Sequence, residues 1–343
     1  MATNAKRALL LMNLGSPDST SVKDVRRYLN EFLMDGRVID IPYLVRGLLV
    51  RGIIVPFRAP KSAEAYRSIW TDEGSPLIVL TKQLQKAVQQ KIAEPVAIAM
   101  RYGNPSPKQA YDQLLKEHPG LEEVVLLPLY PHYAMSSYET AVEYAKEQHQ
   151  KGGYAFKLNI IQPFYDDADY IDALAQSIQP YTEQEYDHIL FSYHGVPQRH
   201  IRKSDTTGCH CLKVNNCCET ASTAHATCYR HQLVVTTHLV AEKLGIPKEK
   251  YSISFQSRLG KGWLEPFTDK RLEAMPGEGI KKLLVACPAF ISDCLETIEE
   301  IGEEGKETFM HAGGESFTLI PCLNTHPAWV STIVKQFGNL KMC

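Results

Sequence analysis

Eight short runs rich in Val, Ile and Leu, separated by longer amphipathic stretches, constrain this chain more than any other feature. They fall into two sets of four: 8–14, 95–102, 123–130 and 156–164, then 188–194, 251–257, 280–290 and 316–322. Alternation of such runs with helical stretches is the pattern of a parallel sheet covered by helices. The two sets also share punctuation. LMNLGSP at 11–17 corresponds to FSYHGVP at 191–197, and LLPLYPHY at 126–133 to LLVACPAF at 283–290, an internal repeat. We therefore expect an α/β chain of two similar doubly wound domains, each with a four-stranded parallel sheet. Their expected bounds are 1–165 and 166–322, with 323–343 a C-terminal helix packing back on the first domain. A length of 343 residues agrees, being too great for one small core.

Open sheets of this kind bind ligands beyond the carboxyl ends of their strands, so function is to be sought there. His194 ends one strand, and Glu296 follows another within CPAFISDCLETIEEIGEE. Taken alone, a strand-end histidine serves equally well as a structural hydrogen-bonding group. A helix is expected from about Asp293, in which Glu296, Glu300 and Glu304 share one face at a spacing of four. Like charges so placed cost about 0.2–0.5 kcal/mol per pair on an exposed helix. The row therefore faces either water or the cations and protons that relieve it.

Five of the nine cysteines, Cys209, Cys211, Cys217, Cys218 and Cys228, lie in TGCHCLKVNNCCETASTAHATCYRHQ at 207–232. No signal peptide or cleavage site is evident at the N-terminus, so a reducing, cytoplasmic setting is expected. An odd number of thiols there points away from disulfides and towards metal or redox chemistry. Structural zinc, with His210, His225 and His231 as further donors, and an iron–sulfur cluster both need four ligands. Spacing alone puts zinc first. The segment IPYLVRGLLVRGIIVPF at 41–57 is the most apolar, yet Arg46 and Arg51 interrupt it and it is too short to span a bilayer. It either lies on a membrane as an amphipathic lip or packs on the sheet as an ordinary helix. A net charge of -2 argues against a polyanion partner, so nucleic acid is not expected.

Several motifs together resemble the ferrochelatase family over nearly the whole chain: NLGSP at 13–17, AYRSIWTDEGSPL at 65–77, MRYGNP at 100–105, LYPHYAMSS at 129–137, FSYHGVP at 191–197, SRLGKGWLEPFTD at 257–269 and FISDCLETIEEIGEE at 290–304. The resemblance implies two Rossmann-like halves around a porphyrin cleft, and insertion of ferrous iron into protoporphyrin IX to form protohaem with release of two protons. It implies His194 as the base and, with Glu296, as the pair facing the substrate iron. Glu300 and Glu304 would continue as a path for protons or hydrated metal. Leu14, Tyr102 and Trp263 would line the ring, while Arg58, Tyr66, Ser75 and Arg101 match polar positions, the arginines suiting carboxylates. The lip at 41–57 would face a membrane, giving peripheral association. HCLKVNNCCETASTAHATCYRHQ, within an insert at 205–232, is similar to the cluster-bearing segment of some bacterial members. That implies a 2Fe-2S cluster on Cys211, Cys217, Cys218 and Cys228, reverses the preference for zinc and leaves Cys209 spare. Cys294 stands where many relatives have histidine. A cobalt or coproporphyrin chelatase, and a two-lobed metal-delivery protein without catalysis, are the alternatives; monomer and homodimer are both open.

Overall fold

The computed structural model describes residues 5–258 and 260–340. All eight expected strands form: β1 (Arg7–Asn13), β2 (Val96–Met100), β3 (Glu123–Pro128) and β4 (Lys157–Ile160), then β5 (His188–His194), β6 (Tyr251–Gln256), β7 (Lys282–Ala286) and β8 (Ser316–Leu319). Several stop short of the apolar run that announced them. β3 ends on Pro128 and β7 two residues before Pro288, because proline has no N–H for the ladder.

The strands make two sheets of order β2-β1-β3-β4 and β6-β5-β7-β8, with every pairing parallel. Residues Ala8–Met12 of β1 and Ile189–Phe191 of β5 are fully buried, as central strands covered on both faces must be. In each sheet the order reverses beside the strand that comes first in sequence, β1 or β5. The carboxyl ends of those two strands are therefore the switch points at which such folds hold ligands. Leu14 follows one, and His194 ends the other.

Two compact units result. One comprises the described residues of Met1–Tyr130, Met135–Gln162 and Ile333–Cys343; the other comprises Pro131–Ala134 and Pro163–Thr332. The last helix, Pro327–Asn339, contributes to each. Within the second unit Trp329 is fully buried and stacks on Phe164 at 5.4 Å. Within the first, Phe337 lies under the Arg7 guanidinium at 4.2 Å.

The lip is helical, with a wide turn in the middle: Tyr43–Leu49 is α-helical, Val50–Ile54 π-helical and Val55–Ile69 α-helical. Pro56 has no N–H to offer the carbonyl one turn back, which loosens the ladder at that point. Tyr43, Leu44, Val45, Leu48, Ile53 and Phe57 are all exposed. No described helix is long and apolar enough to cross a membrane.

The acidic segment departs from the regular helix expected from Asp293. A single α-turn at Leu295–Ile298 runs into a π-helix at Glu300–Gly305, and α-helix resumes at Lys306–His311. Two glycines, poor helix formers, let the wide turn sit close to its neighbours. A Cβ on Gly302 would lie 3.2 Å from Leu319, and one on Gly305 3.1 Å from Leu272. Glu304 N–H bonds the carbonyl of Glu299, five residues back, at 3.0 Å. The four-residue spacing of Glu296, Glu300 and Glu304 thus no longer defines a single face.

Candidate active site

His194 ends β5 opposite Gln256 of β6. Its Nδ1 lies 2.7 Å from the carbonyl oxygen of Gly195. A carbonyl only accepts, so Nδ1 donates, and the neutral ring keeps its free lone pair on Nε2. Glycine is required next to it. A Cβ at residue 195 would stand 2.8 Å from the Gln256 carbonyl oxygen and 3.4 Å from the Trp263 ring. The same contact brings Trp263 beside the strand end, secured by the Pro197–Trp263 bridge and by Leu264 N–H on the Val196 carbonyl at 3.0 Å. Two of the expected site residues, His194 and Trp263, are therefore neighbours.

Glu300 reaches the same strand ends. Ser257, the residue after β6, has left-handed backbone with φ 61°. It gives its N–H to Glu300 Oε1 at 2.7 Å and its hydroxyl to Oε2. Gln256 Nε2 meanwhile holds the backbone carbonyl of Glu296 at 2.7 Å. Burial pushes the Glu300 carboxyl up; Ser257 and the nearby His194 pull it back without cancelling the rise, and Glu296 adds to it. Glu296 itself is half-buried and follows Cys294, which is buried. Burial, then the Glu296 carboxylate, pushes the Cys294 thiol up, so it stays neutral. Glu304, placed by expectation on the same face, is exposed. Glu299 is instead the strongly perturbed carboxyl. Burial and then Glu304, Glu300, Glu303 and Glu296 push it up to about 7. Ser257 was missed because no sequence pattern marks a left-handed serine.

In the first unit, the carbonyl of half-buried Leu14 accepts Tyr102 N–H at 2.8 Å. Gly15, at φ 104°, makes this possible, since a Cβ there would overlap the Tyr102 carbonyl. The Tyr102 side chain is fully buried and its hydroxyl donates to Asp35 at 2.9 Å. Arg101 pairs with the same carboxylate, donates to Thr140 at 2.7 Å, and lies over the rings of Tyr102 and Tyr144 at 4.2 and 4.4 Å. Arg101 is thus engaged by an acid within the unit, and the Tyr102 side chain belongs to its core. Asp35, which sequence reasoning passed over, organises both. Burial pushes its carboxyl up, but Thr140, the Arg37 N–H and Arg101 outweigh that and leave it below the usual range. Arg58 is exposed on the helix Val55–Ile69. Tyr66 of that helix is buried edge-on to Tyr28 and Trp70 at 6.4 and 6.2 Å. Ser75 is buried at the start of the helix Pro76–Gln89.

The cysteine-rich segment is wound around Asp205, whose carboxylate accepts the N–H groups of Thr207, His210 and Cys211 at 2.9, 2.9 and 2.8 Å. Left-handed backbone at Leu212 and Asn216, φ 60° and 50°, turns the chain back, and Leu212 N–H points at Cys217 Sγ at 3.4 Å. His210 and His225 both meet the Cys217 carbonyl, at 2.7 and 2.8 Å, and His231 the Cys218 carbonyl at 2.7 Å. The three imidazoles thus buttress the backbone of the segment. The Cys211 thiol interacts with Cys228 and Cys217, and the Cys218 thiol with Cys217 and Cys228. Cys209 is exposed and contacts Thr207 instead. Burial pushes Cys218 up to about 12; Arg230 opposes this, and Cys217 and Cys228 add to it. Among the described residues no three His, Cys, Asp or Glu side chains already converge at metal-holding distances. The case for a metal therefore rests on donor chemistry: four neighbouring thiols, and an amide aimed at one sulfur.

A family model described as ferrochelatase matches residues 6–338. The ferrochelatase of Opitutus terrae is 52% identical over 334 residues, covering 96% of each chain. That of Pseudomonas entomophila is 53% identical over 335 residues, covering 97% of this chain and 98% of its own. Among solved structures, SirB from Bacillus subtilis with Fe3+ matches 98% of this chain and 97% of its own with a TM-score of 0.53. At 12% identity that likeness concerns the fold alone. With its two repeated sheets and nearly end-to-end match, the chain belongs to the ferrochelatase family.

Proposed function

We propose that the chain inserts ferrous iron into protoporphyrin IX, with His194 accepting a pyrrole proton. The observation that carries this is the tethered Nδ1–H of His194, which leaves Nε2 as the free acceptor at the end of β5. In the reaction the two pyrrole N–H bonds break, the resulting ring dianion binds ferrous iron through all four of its nitrogens, and two protons leave. A planar macrocycle keeps its lone pairs in the ring plane, so binding must bend it before a metal can enter from one face. Trp263, beside Gly195, is an apolar surface against which a ring could rest. Once Nε2 takes a proton, the imidazolium is stabilised by the partly buried Glu300 carboxylate, whose charge already interacts with His194. Glu299, near 7, is suited to pass that proton outwards towards exposed Glu304. Glu296, half-buried beside them, would help deliver the hydrated iron.

Cys211, Cys217, Cys218 and Cys228 would hold a 2Fe-2S cluster. When bound, such a group supplies soft-ligand cross-linking of the insert and one-electron chemistry. The exposed apolar side chains at 43–57, with exposed Arg51 and Arg58, suit a peripheral seat on a membrane surface.

The test is His194→Ala. Loss of a positioned base costs about 10²- to 10⁴-fold in turnover, and porphyrin binding, followed by quenching of tryptophan fluorescence, should persist. Near-normal turnover would remove His194 from the mechanism; lost porphyrin binding would make it part of the pocket wall. Comparing protoporphyrin with coproporphyrin, and iron with cobalt, by kcat/KM settles the substrate.

A further inference from the structure

The thiol segment and His194 meet at one residue. Cys228 is the N-cap of the helix Tyr229–Lys243, its carbonyl accepting the N–H of Gln232 at 3.1 Å. Tyr229, the first residue of that helix, is buried and donates its hydroxyl to the backbone carbonyl of His194 at 3.0 Å. One peptide further on, the Gly195 carbonyl accepts His194 Nδ1–H. The tyrosine therefore holds the peptide adjoining the one that orients the imidazole, and does so from the position next to Cys228.

The surroundings keep that ring still. Buried His132 stands edge-on to Tyr229 and to Tyr193, at 6.2 and 5.7 Å, and its Nε2 meets Thr236 Oγ1 at 2.9 Å. Gln232 accepts Tyr133 N–H at 2.7 Å and donates to the Ala226 carbonyl at 3.0 Å. The first turn of the helix is thereby bolted to the backbone just before Cys228.

We propose that Tyr229 is a positioning residue for His194, and that through Cys228 it makes the setting of the histidine depend on whether the site formed by Cys211, Cys217, Cys218 and Cys228 holds its metal. A metal bound at Cys228 fixes the start of the helix, and the next residue transmits that fixation to the His194 carbonyl. The inference rests on His194 being the proton acceptor.

Tyr229→Phe keeps the ring and removes the donor. Turnover should fall about tenfold with porphyrin KM unchanged, because an interaction that orients the base acts on the transition state, and metal per chain should equal wild type. An unchanged kcat overturns the positioning role. A raised KM, or a fall in metal content, overturns it too, making the residue part of the pocket or of the thiol segment. Hydrogen exchange at the amides of 194–196 tests the linkage independently. In wild type, stripping the metal by chelation under reducing conditions should speed exchange there and across 205–232 but not in β6. In Tyr229→Phe, exchange at 194–196 should already be fast, and stripping should add nothing. A rise confined to 205–232 in wild type, or a rise extending through β6, overturns the linkage whether or not the variant folds. Normal turnover in His194→Ala would instead remove the base on which the positioning role depends, leaving the exchange result to stand by itself.

Discussion

Ser257 occupies left-handed backbone that costs an L-residue about 1–2 kcal/mol, and it is kept there because Glu300 takes both of its donors. Strain at one residue thereby sets the carboxylate that faces His194. Glu299 shows the same coupling through charge. Folding raises its carboxyl from about 4.5 to about 7. Below the lower value both states are protonated and nothing is lost; between the two the unfolded chain sheds its proton first, so stability falls as pH rises; above the upper value the penalty is constant. Glu299→Gln should therefore stabilise the protein by about 1 kcal/mol near pH 8, allowing for solvent screening of a half-exposed group, and have little effect near pH 4. Urea midpoints at the two pH values check this; equal gains at both would contradict it. At the thiol segment, Cys209→Ser should leave iron and sulfide per chain unchanged, whereas serine at Cys211, Cys217, Cys218 or Cys228 should lower both. His194 and Glu296 were legible because strand ends and motif spacing mark them. Ser257 and Asp35 were not, since one depends on a backbone angle and the other on partners distant in sequence, Arg101 and Thr140.

Among the elements, strands read cleanly and wide turns did not. A parallel strand needs an apolar run, which composition reveals directly; a π-turn changes only the register of a pattern that still looks helical. That is why Glu296, Glu300 and Glu304 read as one row although Glu299 and Glu304 are the pair joined across the turn. The lip was ambiguous for another reason: the same apolar residues could have faced the sheet or the solvent, and only burial separates the two. Leu44 and Leu48 are 78% and 77% exposed, whereas Leu49 is half-buried, so the first two carry the test. Leu44→Asp with Leu48→Asp should reduce cosedimentation with anionic phospholipid vesicles at least tenfold while turnover of detergent-dispersed porphyrin changes less than twofold, given that fully burying a leucine is worth about 1.5–3 kcal/mol. Wild-type protein that ignores the vesicles would contradict the membrane seat.

At the scale of the molecule, the repeat visible in the sequence became two sheets of one strand order, because each set of four runs obeys the same crossover rules. The assignment of Pro131–Ala134 to the second unit was not legible, as nothing in LLPLYPHY marks a change of allegiance within the motif. Nor was the pairing of Phe337 with Arg7, which joins the first strand to the last helix. Phe337 is buried, so Phe337→Ala should destabilise the protein by about 3–5 kcal/mol, measured by thermal or urea unfolding. The Arg7 side chain also donates to the carbonyl of Leu340, a partner 333 residues away. A nascent chain leaving the ribosome therefore carries that flank of β1 uncovered until the helix Pro327–Asn339 has been translated. Both sheets have all of their strands in hand before then. Because Trp329 of the same helix closes the second unit, chaperone occupancy should persist on both halves until that helix has emerged.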